Sequence, residues 1–248
     1  MMIVRTPDEL SLMKKAGEIT KNALNLAKSL IKPGISTLEL DKKIKEYIIS
    51  CGATPSFLNY EGYPGSICAS VNEMVVHGIP SDKIILKEGD IVSIDVGAIY
   101  QGYNGDAART FPVGKISEEK ARLIKVTEEC FFEGIKHLKV GGKLGELSNA
   151  IQEHAEKNGY SVVRELVGHG IGTKMHEWPN VPNYGRKSDG PTMVEGICLA
   201  IEPMINMGKK GVYLLNDGWG VVTQDGKPSA HYENTVILTL TGVEILTL

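Results

Sequence analysis

Two aspartates, Asp95 and Asp106, lie on either side of a predicted turn in the middle of the chain. The run IVSID ends on Asp95 and is otherwise typical of a buried strand, and GYNGDAART carries Asp106 shortly afterwards. The intervening YQGYNG predicts a hairpin turn, which would put both carboxylates on one face of two antiparallel strands. Two buried like charges are costly unless a cation lies between them, so the pair predicts a cation site.

Two more carboxylates and a histidine occur in similar settings. Glu202 ends the apolar run CLAIE, Glu233 opens the strand-like run ENTVILTL, and His169 lies between glycines in VGHGIG. Each alone also fits a structural role, such as a turn carboxylate or a loop histidine. Together they resemble oxygen-rich sites with one or two imidazoles, which suit Mn²⁺, Fe²⁺, Co²⁺ or Zn²⁺. Four carboxylates exceed the needs of one ion, so the residue types indicate a two-metal hydrolase.

Four helices are predicted, in two pairs that each precede a group of these strands. The clearest has Thr6 as N-cap, Pro7 at the first helical position and Glu9 completing a capping box. The predicted helices run from Thr6 to the stop at Pro33-Gly34, from Ser36 to Gly52, from Ser117 to about Lys139, and from Lys143 to Gly159. Strands and turns are predicted for 53–113 and from 160 onward, and MHEWPNVPNY (175–184) is expected to lack regular structure.

An internal repeat accompanies this order of helices and strands. EGDIVSID (88–95) and EGICLAIE (195–202) align without a gap, and an H-x-x-P motif precedes each, at His77 and at His176. Chance similarity is the alternative, because apolar runs are common. Duplication predicts an α+β fold, a single domain over 1–248, whose two halves are related by a pseudo-twofold axis that brings Asp95 and Glu202 together.

Composition narrows the class of protein. The 248 residues carry a net charge of −3, which gives no basic excess for binding nucleic acid. The sequence has no apolar run long enough for a signal peptide or a membrane span, so neither a membrane nor nucleic acid is an expected partner. The four cysteines are scattered without C-x-x-C spacing, which indicates reduced thiols and a cytoplasmic location.

The motifs, taken in order along the whole chain, resemble the type 1 methionine aminopeptidases in their short form, without a zinc-binding extension. They are ASVNEMVVHGIP, GDIVSIDVGA, GYNGDAARTF, VGHGIG, MHEWPNVPNY, IEPM and HYENTV. The resemblance implies the pita-bread fold, which is a duplicated α+β unit. It implies an exopeptidase that removes an initiator methionine before a small, uncharged second residue and requires a deformylated amino terminus.

The resemblance also implies a ligand set for two divalent cations (Co²⁺, Mn²⁺, Fe²⁺ or Zn²⁺). Asp95 would bind one ion, His169 and Glu202 the other, and Asp106 and Glu233 would bridge both. An additional monovalent cation near Asn72 and Ser229 is a minor prediction from the same source.

Roles in the reaction follow by the same resemblance. Glu202 would act as general base, His77 would contact the scissile amide nitrogen, and His176 would stabilise the carbonyl oxygen as it becomes negative. The methionine pocket would be lined by Tyr60, Tyr63, Cys68 and Trp219, whose alternative role is ordinary core packing.

Three further positions concern the selectivity of the pocket and the surroundings of the ligands. Phe57 and Met175 lie at predicted pocket edges where family members differ, so selectivity at the second residue is not fixed. His231, two residues before Glu233, is expected beside the ligands on the same strand face.

Two other functions compete with this one. A pita-bread protein that has lost its ligands can serve as a binding module, but all five ligand positions are intact here. A proline-specific peptidase would share the fold, whereas a type 2 enzyme is disfavoured because Glu202 and Glu233 are only 31 positions apart. The expected partner is the amino-terminal peptide of nascent proteins, docking on the ribosome is left open, and the expected state is a monomer.

Overall fold

The computed structural model describes residues 3–248, and its first helices begin where the capping residues predict. Helix α1 spans Pro7–Leu30. The Thr6 hydroxyl accepts the Glu9 N–H at 3.2 Å, and the Glu9 carboxylate accepts the Thr6 N–H at 3.1 Å, so the predicted capping box is present. Helix α2 spans Thr37–Ser50, and the hydroxyl of its N-cap residue, Ser36, accepts a backbone N–H of the first turn.

Helices α3 and α4 form the corresponding pair in the second half. They span Glu118–Ile135 and Leu144–Lys157. The prediction that α3 continues to about Lys139 is wrong. The chain tightens after Ile135 into bonds between residues three apart, such as the Leu138 N–H to the Ile135 carbonyl at 3.1 Å, and this turn buries the Leu138 side chain.

The described residues form fifteen strands, of which five lie between the two helix pairs and ten follow the second pair. They are β1 Thr54–Pro55, β2 Ile67–Val71, β3 Met74–Val76, β4 Ile91–Tyr100, β5 Tyr103–Pro112, β6 Ser161–Val162, β7 Gly168–Gly170, β8 Glu177–Val181, β9 Cys198–Ile201, β10 Met204–Asn206, β11 Val212–Leu214, β12 Val221–Thr223, β13 Ser229–His231, β14 Asn234–Thr239 and β15 Gly242–Ile245. A 3₁₀ turn, Tyr60–Gly62, precedes β2.

The strands form two main sheets, one for each half of the chain. In the first, β4 pairs with β5 and also with β1 and β2; in the second, the order is β15-β14-β9-β7-β8. Two smaller sheets, β13-β10-β6 and β11-β12-β3, complete the structure, and every strand pair is antiparallel. The predicted α+β organisation in two helix–helix–strand halves is therefore confirmed.

The β4–β5 hairpin is tighter than the predicted turn over 100–105. Only Gln101 and Gly102 form the turn, with φ of 47° and 86°, which are the left-handed values that a two-residue hairpin of type I′ requires. Gly97 pairs with Asp106, and Asp95 pairs with Ala108. Because side chains alternate between faces, the two aspartates lie diagonally on the same face, as predicted.

The prediction of irregular structure over 175–184 is wrong for its central part. Residues Glu177–Val181 form β8, an edge strand that pairs only with β7. Proline is tolerated in an edge strand, since one side of the strand needs no ladder hydrogen bond, and Pro179 occupies that kind of position.

Each half has its own apolar core. Side chains of α1 and α2 pack on β2 and β4 in one core, and side chains of α3 and α4 pack on β9, β10 and β14 in the other. A third cluster joins the halves, where Met13 and Cys68 of the first half meet Met175 and Ala200 of the second. No helix of the described chain is long and apolar enough to cross a membrane.

Candidate metal centre

The four predicted carboxylate ligands come from both halves of the molecule. Asp95 lies in the middle of β4 and Asp106 lies on β5, whereas Glu202 directly follows β9 and Glu233 directly precedes β14. Asp106 and Glu233 are 3% and 2% exposed, so they are removed from water. The fold therefore brings together four acids that are separated by up to 138 positions in sequence (233 − 95).

Backbone contacts between the halves fix two of these acids. The Thr235 hydroxyl accepts the Asp106 N–H at 2.9 Å and donates to the Asp106 carbonyl at 2.9 Å. The Glu233 N–H donates to the Ala108 carbonyl at 2.9 Å. Strand β5 is thus joined to the start of β14, and the side chains of Asp106 and Glu233 are held towards the same point.

His169 faces this point with a defined ring nitrogen. Its Nδ1 lies 2.9 Å from the Gly170 carbonyl oxygen, and because a carbonyl only accepts, Nδ1 carries the proton. Its Nε2 lies 3.8 Å from an oxygen of Asp106 and 3.8 Å from an oxygen of Glu202. Burial and the neighbouring His176 ring lower the pKa of His169 to about 3, so Nε2 presents a lone pair to the carboxylates.

The carboxyl groups repel one another when no cation is bound. Burial and the Glu202 charge raise the pKa of Asp95 to about 7, against the effect of His231, and burial raises the pKa of Glu202 to about 8. The pKa values of Asp106 and Glu233 are also raised well above their ordinary range, by burial and by the neighbouring acids. Positive charge placed among these groups would offset both causes.

Unpaired carboxylate oxygens also indicate that this site needs a cation. Within residues 3–248, one buried oxygen each of Asp95, Asp106 and Glu233 has no hydrogen-bond partner. Ligand atoms of Asp106, His169 and Glu233 all lie within 4.8 Å of one another. Buried acceptors are normally paired, and carboxylate oxygens with an imidazole lone pair are ligands of divalent transition metals. The donors present therefore fit a divalent cation.

A cavity of about 150 Å³ opens beside this cluster. Its wall contains every predicted pocket residue, namely Tyr60, Tyr63, Cys68, Trp219, Phe57 and Met175. The Tyr63 hydroxyl is within 3.1 Å of the Ile67 carbonyl oxygen and 3.0 Å of the Gly78 carbonyl oxygen, and its ring packs edge-on against Trp219. The part of the wall formed by these residues is therefore largely apolar, and the cavity has room for one side chain.

The two predicted catalytic histidines, His77 and His176, line the same cavity. His77 follows β3 with φ of 59°, a left-handed conformation that is uncommon for a residue other than glycine. Burial lowers the pKa of His77 to about 4 and also lowers the pKa of His176. Nδ1 of His176 lies 2.9 Å from the Tyr60 hydroxyl, so its Nε2 is the nitrogen left for other contacts.

His231 lies against the acids, as predicted. Its Nε2 is 3.5 Å from Glu202 Oε2 and 3.9 Å from Glu233 Oε2. The structure also connects the positions predicted near a monovalent cation, since the Ser229 N–H donates to the Asn72 carbonyl at 2.9 Å.

Two residues at the site were missed by the sequence analysis. Glu61 lines the cavity and its charge acts on His176, yet its only sequence signal is its position between Tyr60 and Tyr63. Thr235 has no signal at all, because its bonds to Asp106 depend on the meeting of two distant strands.

Comparisons with known proteins identify the family of the chain. Residues 11–240 match the metallopeptidase family M24. A methionine aminopeptidase of Clostridium perfringens is 55% identical over 248 residues, which is 100% of this chain and 99% of that protein. The crystal structure of methionine aminopeptidase from Rickettsia prowazekii has a TM-score of 0.97 at 43% identity and covers 100% of both chains.

A more distant neighbour shares the same fold. Prolidase from Pyrococcus furiosus has a TM-score of 0.79 at 28% identity, covering 99% of this chain and 65% of that chain. These neighbours confirm the predicted pita-bread fold.

Proposed function

Because the chain belongs to metallopeptidase family M24, and within it to the methionine aminopeptidases, we propose that its substrates are newly made proteins whose second residue is small and uncharged. The enzyme removes the amino-terminal methionine. The substrate presents a free amino terminus, so a formylated chain is deformylated first. The proposed location is the cytoplasm, where nascent chains emerge, and the proposed state is a monomer.

One observation carries this proposal: buried carboxylates and an imidazole lone pair converge beside an apolar cavity sized for one side chain. An oxygen-rich cluster alone suits many hydrolases. The adjoining cavity accepts the side chain of one apolar residue. The substrate therefore has a single residue before the bond that is cleaved, which is the requirement for an exopeptidase that acts on methionine.

Divalent metal use follows from family membership, and we assign the ligands from the site. The proposed holders are Asp95, Asp106, His169, Glu202 and Glu233, for two cations drawn from Co²⁺, Mn²⁺, Fe²⁺ or Zn²⁺. When bound, such cations increase the acidity of water and polarise a carbonyl group. The additional monovalent cation near Asn72 and Ser229 remains a proposal.

The chain's own residues perform the proton transfers and hold the substrate. Glu202 accepts a proton from the attacking water, since its Oε1 faces the cluster beside His169. His176 faces the cavity through Nε2 and donates to the carbonyl oxygen as it gains negative charge. His77, held in a strained backbone conformation at the cavity wall, contacts the scissile amide nitrogen.

Hydrolysis of Met-Ala-Ser by metal-stripped protein tests the proposal. We expect release of free methionine only after addition of Mn²⁺, Co²⁺ or Fe²⁺. Asp106→Asn keeps the side-chain shape and removes one charge, and it should lower kcat/KM by at least about 100-fold. Asp82→Asn, at an exposed aspartate, is the matched control and should match the wild type. Failure of every metal to restore cleavage would reject the proposal.

The proline-specific alternative needs its own comparison, because the prolidase neighbour shares the fold. With the same metal-loaded protein, Met-Ala-Ser should be cleaved at least about tenfold faster than an Ala-Pro dipeptide. Faster cleavage of the dipeptide would favour the proline-specific function.

A further inference from the structure

A surface groove adjoins the cavity beside the candidate metal centre. Its volume is about 520 Å³, and His169 and His176 line both the groove and the cavity. The rings of these two histidines meet edge-on, with centroids 4.3 Å apart. Because the cavity has room for one side chain, the rest of a peptide substrate must lie outside it. The groove begins at His176, the residue that the proposed function places at the scissile carbonyl group.

Beyond the histidines, the wall of the groove is largely apolar. Val167, Pro179 and Pro191 line it together with Trp178, which is 54% exposed. The only other tryptophan of the sequence, Trp219, lines the cavity. Tryptophan is highly buried on average, and an exposed apolar surface in a concave site is informative, whereas an isolated exposed apolar residue is not. The groove therefore presents a contact surface for an apolar group.

A β-bulge sets the position of Trp178 at the edge of its sheet. His169 on β7 pairs with Asn180 on β8. The next residue of β7, Gly170, pairs with Glu177, so one step along β7 corresponds to three steps along β8. A Cβ atom at Gly170 would lie 2.3 Å from the Trp178 carbonyl oxygen, so glycine is required for this close approach. Bulges next to active sites commonly redirect a side chain, and here the Trp178 side chain lines the groove.

The distance from His176 to Trp178 corresponds to a short length of substrate. Two residues of an extended chain span at most about 7 Å. A peptide whose first carbonyl group lies against His176, and whose chain continues along the groove, therefore reaches Trp178 with its third residue. The second residue lies between them, beside the two histidine rings.

We propose that this groove binds the substrate beyond its second residue, and that the Trp178 indole receives an apolar side chain of the third residue. The inference rests on the proposed function and adds a preference that the proposed function does not specify. The contact lies away from the reacting atoms, so it stabilises the bound substrate and the transition state equally. Such contacts lower KM and leave kcat unchanged. Trp178 is therefore a specificity-determining residue and not a catalytic residue.

Two peptides that differ only in the third side chain test the inference. Met-Ala-Leu amide and Met-Ala-Gly amide carry the same charge, and both are assayed with wild-type protein at saturating Mn²⁺. We expect KM to be about tenfold lower for the leucine peptide, which is the low end of the range for apolar side chains in a hydrophobic site, and kcat to be similar for both. Equal KM values would overturn the inference alone. Failure to release methionine from both peptides would reject the proposed function, and the inference with it.

Substitutions of Trp178 locate the preference. Trp178→Ala should raise KM for the leucine peptide to the value for the glycine peptide, and Trp178→Phe should reduce the preference to about threefold. Neither substitution should change KM for the glycine peptide. Tyr213→Ala is the matched control, because Tyr213 is 52% exposed and lies outside the walls of the cavity and the groove. A preference for leucine that survives in Trp178→Ala would place the third residue elsewhere and contradict the inference.

A purely structural role of Trp178 predicts a different pattern. Distortion of the bulge would displace His176, two residues away, and would lower kcat for both peptides by the same factor. Because the indole is exposed, we expect Trp178→Ala to fold, and its thermal transition checks this. Should the variant not fold, Trp178→Phe decides: a smaller preference than in the wild type supports the inference, and an unchanged preference overturns it.

Discussion

The hydroxyl of Tyr60 lies 2.9 Å from Nδ1 of His176, and this contact determines which ring nitrogen faces the cavity. Tyr60→Phe removes the hydroxyl and keeps the apolar wall. We expect kcat for Met-Ala-Ser to fall about fivefold, since one hydrogen bond that orients the ring proposed to be catalytic contributes about 1 kcal/mol, and KM should change little.

The control for this prediction is Tyr213→Phe, because Tyr213 is 52% exposed and lies outside the cavity wall. It should leave both constants unchanged. A Tyr60→Phe enzyme with the wild-type kcat would show that His176 needs no orienting partner.

Sequence alone identified the residues whose chemistry conflicts with their setting. Glu202 and Glu233 stand out because an ionisable group at the end of an apolar run is costly unless it is paired. Glu61 could not be found in this way, because an acid in a polar loop is ordinary, and only the fold places it near His176. The same holds for Thr235, a common residue type in any strand.

At the level of elements, the Thr235 hydroxyl is one of the groups that join β5 to β14, and in the described chain it alone bonds to the backbone of Asp106 on both sides. Thr235→Val keeps the shape of the side chain but removes both hydrogen bonds to Asp106. The buried Asp106 N–H would lose its partner, which costs about 1–3 kcal/mol. We therefore expect the melting temperature of the metal-stripped protein to fall by about 2–10 °C and the Kd for Mn²⁺ to rise.

Thr241→Val is the matched control, since Thr241 is exposed in the β14–β15 turn. This substitution should change the melting temperature and the Kd for Mn²⁺ only slightly. Differential scanning calorimetry and calorimetric titration measure the two effects. A Thr235→Val protein as stable as Thr241→Val would mean that the remaining contacts between the strands, such as the Glu233 N–H to the Ala108 carbonyl, are sufficient without this hydroxyl.

Elements were predictable where the signals were local. The capping box at Thr6 and the hairpin around Gln101 depend on residues a few positions apart, and both occur in the structure. Strand β8 was missed because its pairing with β7 outweighs the local preference of a proline-containing segment for irregular structure. The early end of α3 likewise depends on the burial of Leu138 against the distant core.

At the scale of the whole molecule, the internal repeat explains the location of the centre. The first half supplies Asp95 and Asp106 and the second supplies Glu202 and Glu233, so neither half contains the complete cluster. The cluster of apolar side chains shared by both halves lies against the cavity wall. Docking of the halves therefore brings four acids together, and stability without metal should depend on whether these acids are charged.

The metal-stripped protein should lose stability as pH rises from about 6.5 to 8. The pKa is raised to about 7 for Asp95 and to about 8 for Glu202, mainly by burial, whereas both are near 4 in the unfolded chain. In this interval the folded state binds more protons than the unfolded state, so the free energy of unfolding decreases with pH. Each acid that is protonated only in the folded state contributes a decrease of about 1.4 kcal/mol per pH unit.

The buried histidines act in the opposite direction, but in a lower pH range. Burial lowers the pKa of His77 and of His231 to about 4, below the ordinary value of 6.5, so they increase stability mainly between about pH 4 and 7 and add little above that range. Thermal melts with chelator at pH 6.5, 7.25 and 8 isolate the acids. Melting temperatures should fall across this series, fall less in Asp106→Asn, and stay nearly constant in wild-type protein with saturating Mn²⁺, because a bound cation replaces the protons. A melting temperature that is constant or rising in chelator would mean that the four acids are already ionised without metal, and that their repulsion is relieved by something other than a cation.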